Sequence, residues 1–224
     1  MWIDDQIIEH CSKRFHSETF VPKNSLVVLG RSNKLEFEVN VENCEKDSIA
    51  IEKRYGGGGT VLLHSGCIVI SVGAWMINPF ANDLYFSKIN EGIIATINTI
   101  YPDVEICQRG FSDLVIGDKK IAGTSLFRSK NYLLYQASLL FETKIKDIER
   151  YLSHPSKEPD YREGRGHSQF LIGLESVNPK ISMVEFFKIF KNRAPGLIET
   201  NLSEHLGSPN EEHFVHLRKR AGLV

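Results

Sequence analysis

Lys53-Arg54-Tyr55-Gly56-Gly57-Gly58-Gly59-Thr60-Val61-Leu62-Leu63 is the stretch on which the reading of this chain turns. Glycine loses more backbone freedom on folding than any other residue, so a plain strand edge does not account for four in a row. Without Cβ atoms, their main-chain N–H groups can come close to a bound group, and consecutive N–H groups form an anion-binding concavity. Lys53 and Arg54 stand immediately upstream, and arginine matches phosphate or carboxylate bidentately. A hairpin tip is the plainer reading of the same run, because glycine is also the default turn residue. Two common phosphate motifs are ruled out. No Lys-Ser or Lys-Thr follows the glycines, and a β-branched run comes after them rather than a helix.

On either side of the glycines the pattern is that of strands. Residues 26–30 are a continuous apolar run ending in Gly30, as a buried strand would be. Residues 49–54 partly alternate, and 60–63 and 68–72 are β-branched, with His64-Ser65-Gly66 turning between the last two. Further strands are expected at 104–107, 113–116, 120–127 and 132–141, with Gly117-Asp118-Lys119 at hairpin spacing. Helices are expected at 2–15, 82–101, 144–152, 183–192 and 211–220, with a turn or two at 42–47. Ile89, Ile93, Ile97 and Ile100 make one stripe of the second, and Pro102 ends it. Strands come in runs between helices without strict alternation, which predicts an α+β protein with a mixed sheet. No linker or repeat divides the sequence, so residues 1–224 read as one domain.

The chain has 224 residues, enough for a core without metal or disulfide staples. Lys and Arg total 27 against 28 Asp and Glu, a formal net charge of -1, so a general nucleic-acid-binding surface is not expected. Cys11, Cys44, Cys67 and Cys107 have no CxxC spacing, which points to reduced thiols in a cytoplasmic protein. The N-terminus has neither a basic nor an apolar signal region. Residues 55–82 lack Asp, Glu, Lys and Arg, but glycines, His64, Asn78 and Pro79 interrupt them, so buried strands and a loop fit better than a membrane span.

A second constellation is Asp113-Leu114-Val115-Ile116-Gly117-Asp118-Lys119-Lys120-Ile121-Ala122-Gly123-Thr124. Lys120 begins a strand-like run and small residues follow it. A lysine held in a cleft is a point charge suited to an acyl phosphate or a carbonyl oxygen, and small neighbours leave room for a ligand. The plainer reading is a solvated hairpin lysine. Asp113 is either a Mg²⁺ ligand or an ordinary strand-start residue. Residues 151–168 concentrate Tyr161, Arg162, Arg165 and His167 in a Pro- and Gly-rich loop, either solvated or closing over a ligand.

Three segments taken together resemble the lipoate–protein ligase A and octanoyltransferase family, related to the biotin ligase catalytic domain. They are Val27 to Asn33, the Arg54-Tyr55-Gly56-Gly57-Gly58-Gly59 loop, and Gly110 to Asp113 with Lys120-Ile121-Ala122-Gly123. The resemblance covers about residues 25–142. It implies a largely antiparallel mixed sheet flanked by helices. It also implies an enzyme that activates lipoate or octanoate with ATP and Mg²⁺ to an acyl-adenylate, then passes the acyl group to a lysine of a lipoyl carrier domain. By motif position Lys120 is the catalytic lysine on the acyl-adenylate. Arg54, Gly56, Gly57, Gly58, Gly59 and Thr60 form the loop over the ligand, and Asp113, Gly123 and Thr124 lie by the phosphates and metal.

This sequence departs from the family pattern in places. Lys53 and Gly56 replace an arginine and a hydroxyl residue, and Gln136-Ala137-Ser138 stands where His-Gly-Ser/Thr is frequent. Some family octanoyltransferases use a cysteine nucleophile before the lysine motif, which makes Cys107 a candidate for ATP-independent transfer from acyl carrier protein. A non-catalytic lipoate- or biotin-binding protein is a third reading. Bacterial ligases carry a C-terminal accessory domain for which this chain lacks the length, so a separate accessory subunit is an expected partner.

Overall fold

In the computed structural model, which describes residues 3–223, the chain runs as follows. Helix α1 (Ile3–Glu9) leads to β1 (Phe15–Phe20) and β2 (Leu26–Leu29), then to α2 (Leu35–Glu38), α3 (Val41–Lys46) and β3 (Ala50–Lys53). The glycine loop separates β3 from β4 (Val61–Leu63), and β5 (Cys67–Trp75) and α4 (Asn82–Asn98) follow. Next come β6 (Cys107–Arg109), β7 (Asp113–Ile116), β8 (Lys119–Ser129) and β9 (Tyr132–Leu140). The C-terminal part holds α5 (Ile145–Tyr151), α6 (His167–Phe170), α7 (Leu174–Val177), α8 (Met183–Leu202) and α9 (Glu211–Arg220).

Six strands form one sheet in the order β1-β5-β9-β8-β7-β6, antiparallel throughout. Three form a second sheet, β3-β2-β4, in which β2 and β3 run parallel and β2 and β4 antiparallel. This is the mixed, helix-flanked architecture expected from the sequence. All nine residues of β5 are buried, because both faces of that strand are covered. Ile68, Ile70, Val72 and Ala74 join the core under α4 and α8. On the other face Trp75 packs with Ile7 and Ile8 of α1, while Val69 packs with Val28 and Leu63 of the small sheet. The charge-free stretch is therefore the glycine loop, β4 and the doubly covered β5 with their connections, and no helix among the described residues is long and apolar enough to cross a membrane.

Four expectations need correction. The first helix begins within the range predicted but ends at Glu9, and Phe15–Phe20 is the edge strand β1; residue 2 lies outside the described residues. Phe-His-Ser-Glu-Thr-Phe shows no clean two-residue alternation, and its extended form comes from pairing with β5. The strand expected at 104–107 begins only at Cys107 and is exposed along its length. The strand expected at 120–127 is longer, Lys119–Ser129. The helix expected to end at Asn192 continues to Leu202 through Pro195. Phe186, Phe190, Ala194, Ile198 and Leu202 are all fully buried at four-residue spacing, and that stripe outweighs the backbone bond the proline removes. Helix α8 approaches α4 closely at Gly92, where a Cβ would lie 2.9 Å from the Ile198 Cα.

His64, at the turn into β5, is fully buried. Its Nδ1 accepts from the Gly66 amide at 3.0 Å, and Nε2 has no partner among the described residues. Burial pulls its pKa down to about 4, with Lys144 adding to the effect. Above pH about 6.5 both folded and unfolded chains carry a neutral ring. Below it the unfolded chain gains a proton that the folded one resists, so stability falls with pH through the window from about 6.5 to 4. Urea unfolding should show His64→Asn, which keeps an acceptor for Gly66, losing less stability than wild type between pH 6.5 and 5. The differential expected is up to about 1 kcal/mol per pH unit.

Candidate functional site

The cavity lies between the two sheets. Its floor is the second face of β5, β9 and β8, where the register places Val69, Ser138 and Gly123 in one row and Ser71, Gln136 and Ser125 in the next. Small side chains on that face leave the space open. The small sheet and the glycine loop form the opposite wall. The cavity measures about 460 Å³, and Gly57, Gly58, Gly59, Lys120, Gly123 and Thr124 all line it. Val28, Leu62, Val69, Leu140, Ile148 and Leu152 give it an aliphatic side.

The glycine loop is fixed from beneath. Arg54 is buried, and its guanidinium donates to the Gly57 carbonyl from Nε at 3.1 Å and Nη2 at 2.7 Å, and to the Gly59 carbonyl at 2.7 Å. Burial lowers its pKa to about 10, which leaves it charged at neutral pH. Arg54 therefore holds the loop by its carbonyls, where the sequence had suggested an anion ligand. The amides of Gly57, Gly58 and Gly59 have no acceptor among the described residues. Gly58 adopts φ +89°, and a Cβ on Gly30 would meet the Gly58 carbonyl oxygen at 2.0 Å. Gly30 is thus the point at which β2 admits the loop. The Arg31 amide donates to the Gly56 carbonyl at 2.9 Å, and Thr60 Oγ1 accepts from Asn33 at 3.1 Å.

Lys120 points into the cleft. Its Nζ lies 2.8 Å from Asp113 Oδ1 and 3.1 Å from where a Cβ on Gly123 would stand. The pair is mostly enclosed, with side-chain exposures of 23% for Lys120 and 16% for Asp113. Asp113 Oδ2 accepts from the Tyr161 hydroxyl at 2.8 Å. Burial, followed by the Asp113 charge, raises the Tyr161 pKa and keeps it a donor. Each Asp113 oxygen thus has a protein partner, Lys120 on Oδ1 and Tyr161 on Oδ2. Thr124 Oγ1 donates to the Ser112 carbonyl at 3.0 Å, which ties β8 to the β6–β7 turn.

From residues 153–168, Ser153, Pro155, Lys157, Pro159, Arg162 and His167 line the cavity. Tyr161 anchors the segment on Asp113. Arg165 anchors it on Asp118 at 2.6 Å, and Glu38 accepts from Ser156 through both its amide and its hydroxyl. Arg162 lines the cavity and is 5% exposed; its Nη2 is buried with no partner among the described residues, and its guanidinium carbon lies 4.7 Å from the centre of the Phe170 ring. Burial lowers the Arg162 pKa, and it lowers that of His167 to about 4, so His167 is neutral at pH 7. Cys107 is exposed on β6 opposite Val115 and is not part of the cavity wall. Cys67 is buried, its thiol pushed up to about 12 by burial. Glu38 had no sequence signal, since a buried carboxylate beside two exposed apolar residues reads as surface. Arg162 was visible only as one of several charges in a loop.

The two-sheet cleft thus has the glycine loop on one wall and Lys120 on another. The chain belongs to the lipoyl protein ligase A/B catalytic domain family, whose model matches residues 1–193. It is 23% identical over 198 residues to the "Probable lipoate-protein ligase A" of Mycoplasma pneumoniae, covering 84% of this chain and 57% of that protein. It spans about half the length of several curated relatives it matches. Its fold is that of the bi-partite lipoate protein ligase of Thermoplasma acidophilum, described with its E2 lipoyl domain. That structure gives a TM-score of 0.71 at 16% identity, covering 99% of this chain and 89% of that one. A lipoate-protein ligase A bound with ATP gives 0.69 at 16% identity, covering 99% and 92%.

Proposed function

We propose that this chain is a lipoate–protein ligase-like acyltransferase that activates lipoate, or octanoate, with ATP and transfers the acyl group to a lysine of a lipoyl carrier domain. The observation that carries this reading is the shared cavity: Lys120 lines one space with Gly57, Gly58 and Gly59, whose amides have no acceptor among the described residues, and that space also has an aliphatic side. An unbranched acyl chain matches the Val28, Leu62 and Leu140 side, and a carboxylate or phosphate matches the cationic side. Arg162, whose buried Nη2 has no partner among the described residues, adds a second donor for an anion. The family assignment and the names of its relatives point the same way.

ATP supplies the leaving group that makes the acid reactive. The residues of this chain do the rest. Lys120, held by Asp113, meets negative charge as it develops on the acyl carbonyl or phosphate oxygen. The loop amides and Arg162 fix the anion, and the aliphatic walls exclude water from a hydrolysable bond. Asp113 is the residue that would hold Mg²⁺ beside the phosphates, where the ion would neutralise their charge. A lipoyl carrier domain as acceptor and a separate accessory subunit are part of the same reading.

Incubation with lipoate, ATP and Mg²⁺ should release pyrophosphate and, with a lipoyl domain present, add one lipoyl mass to it. Ligand binding without transfer would instead favour a binding protein. The ATP-independent route through Cys107 loses its geometric support, because that thiol lies outside the cavity wall. Cys107→Ser should leave the transfer rate within roughly twofold of wild type. Loss of activity in that variant, with an octanoyl adduct on the wild-type thiol, would establish the thioester route instead.

A further inference from the structure

We propose that His10, His16 and Glu18 form a binding site for one divalent transition metal of the Zn²⁺ type, fastening the end of α1 to the edge strand β1. The site is separate from the cavity, and nothing in the acyl-transfer reading uses it. His16 and Glu18 sit two apart on β1, so both project from the same face of the strand. Opposite His16 on β5 is Gly73, where a Cβ would meet Ile7 of α1 at 2.8 Å, so this is the face that α1 covers. His10 follows the last residue of α1 and reaches the pair from above.

The distances are those of a ligand set. His16 Nε2 lies 3.3 Å from Glu18 Oε1, and His10 Nε2 lies 3.9 Å from the same oxygen. The three ligand atoms lie within 4.8 Å of one another, the two rings at 4.2 Å between centroids. Zinc bonds to His nitrogen and carboxylate oxygen at about 2.0–2.2 Å in a tetrahedron, which puts neighbouring ligands about 3.3–3.5 Å apart. A small adjustment of the His10 side chain closes the set, and water fills the fourth position. Two imidazoles and one carboxylate suit Zn²⁺, Co²⁺ or Ni²⁺ better than Mg²⁺ or Ca²⁺, which prefer oxygen. The bland alternative is a hydrogen-bonded His16–Glu18 pair with His10 packed against it. It predicts no metal affinity beyond that of any surface histidine.

The other surface His-carboxylate pair provides the control. His154 Nε2 contacts Glu158 Oε2 at 2.9 Å, with no third ligand beside it among the described residues. Tag-free, chelator-treated protein should be titrated with Co²⁺, reading visible d–d absorption, and with Zn²⁺ by competition. Wild type and His154→Ala should bind one equivalent with a tetrahedral or five-coordinate Co²⁺ spectrum, and the unfolding temperature should rise with Zn²⁺ concentration. His16→Ala and Glu18→Gln should weaken binding by at least roughly 100-fold, more than loss of an outer-shell partner costs, and abolish the temperature rise. Equal binding by wild type and His16→Ala, or no saturable binding by a folded wild type, would overturn the proposal.

Discussion

Lys120→Ala should lower acyl transfer to a lipoyl domain by roughly 100- to 1,000-fold, the scale of losing one preorganised charge donor at a developing oxyanion. The reason is positional. Lys120 lines the cavity with its Nζ 2.8 Å from Asp113, and among the described residues no other lysine or arginine pairs with that carboxylate. Folding should survive. The lysine carries little packing, but its loss strips the counter-charge from the enclosed Asp113 carboxylate, so a stability loss of about 1–3 kcal/mol is expected. Initial rates from the mass of the carrier domain, read beside a urea unfolding curve, separate the two effects. The loss should fall mainly on kcat, because the interaction strengthens as charge develops. Wild-type turnover in a folded Lys120→Ala protein would remove the lysine from the chemistry.

Gly30→Ala should be nearly as damaging, although it adds only one methyl group at a position that touches no ligand. That methyl would stand 2.0 Å from the Gly58 carbonyl oxygen and 3.2 Å from Arg54 Nη2. Either β2 or the loop must move, and the loop is the softer of the two. Its amides then leave the cavity wall, and affinity for the acyl substrate and for ATP should fall at least tenfold, a near-complete loss of one or two hydrogen bonds to a charged group. Stability should drop by about 1–3 kcal/mol, as overpacking generally costs. Gly57→Ala is the comparison, since nothing lies within 4 Å of its Cβ position. Its fold should be unaffected, and any loss should appear only as weaker ligand binding. Calorimetric titration with lipoate and with ATP distinguishes a displaced loop from a blocked cavity.

The sequence carried much of the fold where periodicity was strong. The isoleucine stripe of α4 and the β-branched runs of β4 and β5 are local signals, and they lie where expected. Strand β1 was invisible because its residues alternate polar with polar, and only its partner β5 makes it a strand. The tail of α8 was hidden by Pro195, whose local cost is repaid by a buried stripe that no short window displays. At the site, the glycine run and Lys120 were legible because each is expensive without a ligand or a close approach to explain it. Arg54 was legible as important, but its direction was not. The same guanidinium that can grip an anion grips the loop carbonyls instead, and only the geometry decides between them. Gly30, Glu38 and Arg162 act through residues far away in sequence: Gly58, Ser156 and the enclosed cavity. Single-chain spacing could not pair them.

The most direct test of the account is a crystal structure of the protein with a non-hydrolysable lipoyl-adenylate analogue. The account predicts Lys120 Nζ within hydrogen-bond distance, about 2.7–3.2 Å, of the oxygen that replaces the acyl carbonyl or phosphate oxygen. It also predicts amides of Gly57 to Gly59 on the same anion and the acyl chain along Val28, Leu62 and Leu140. An analogue bound elsewhere, or bound in this cavity with Lys120 turned away from it, would contradict it.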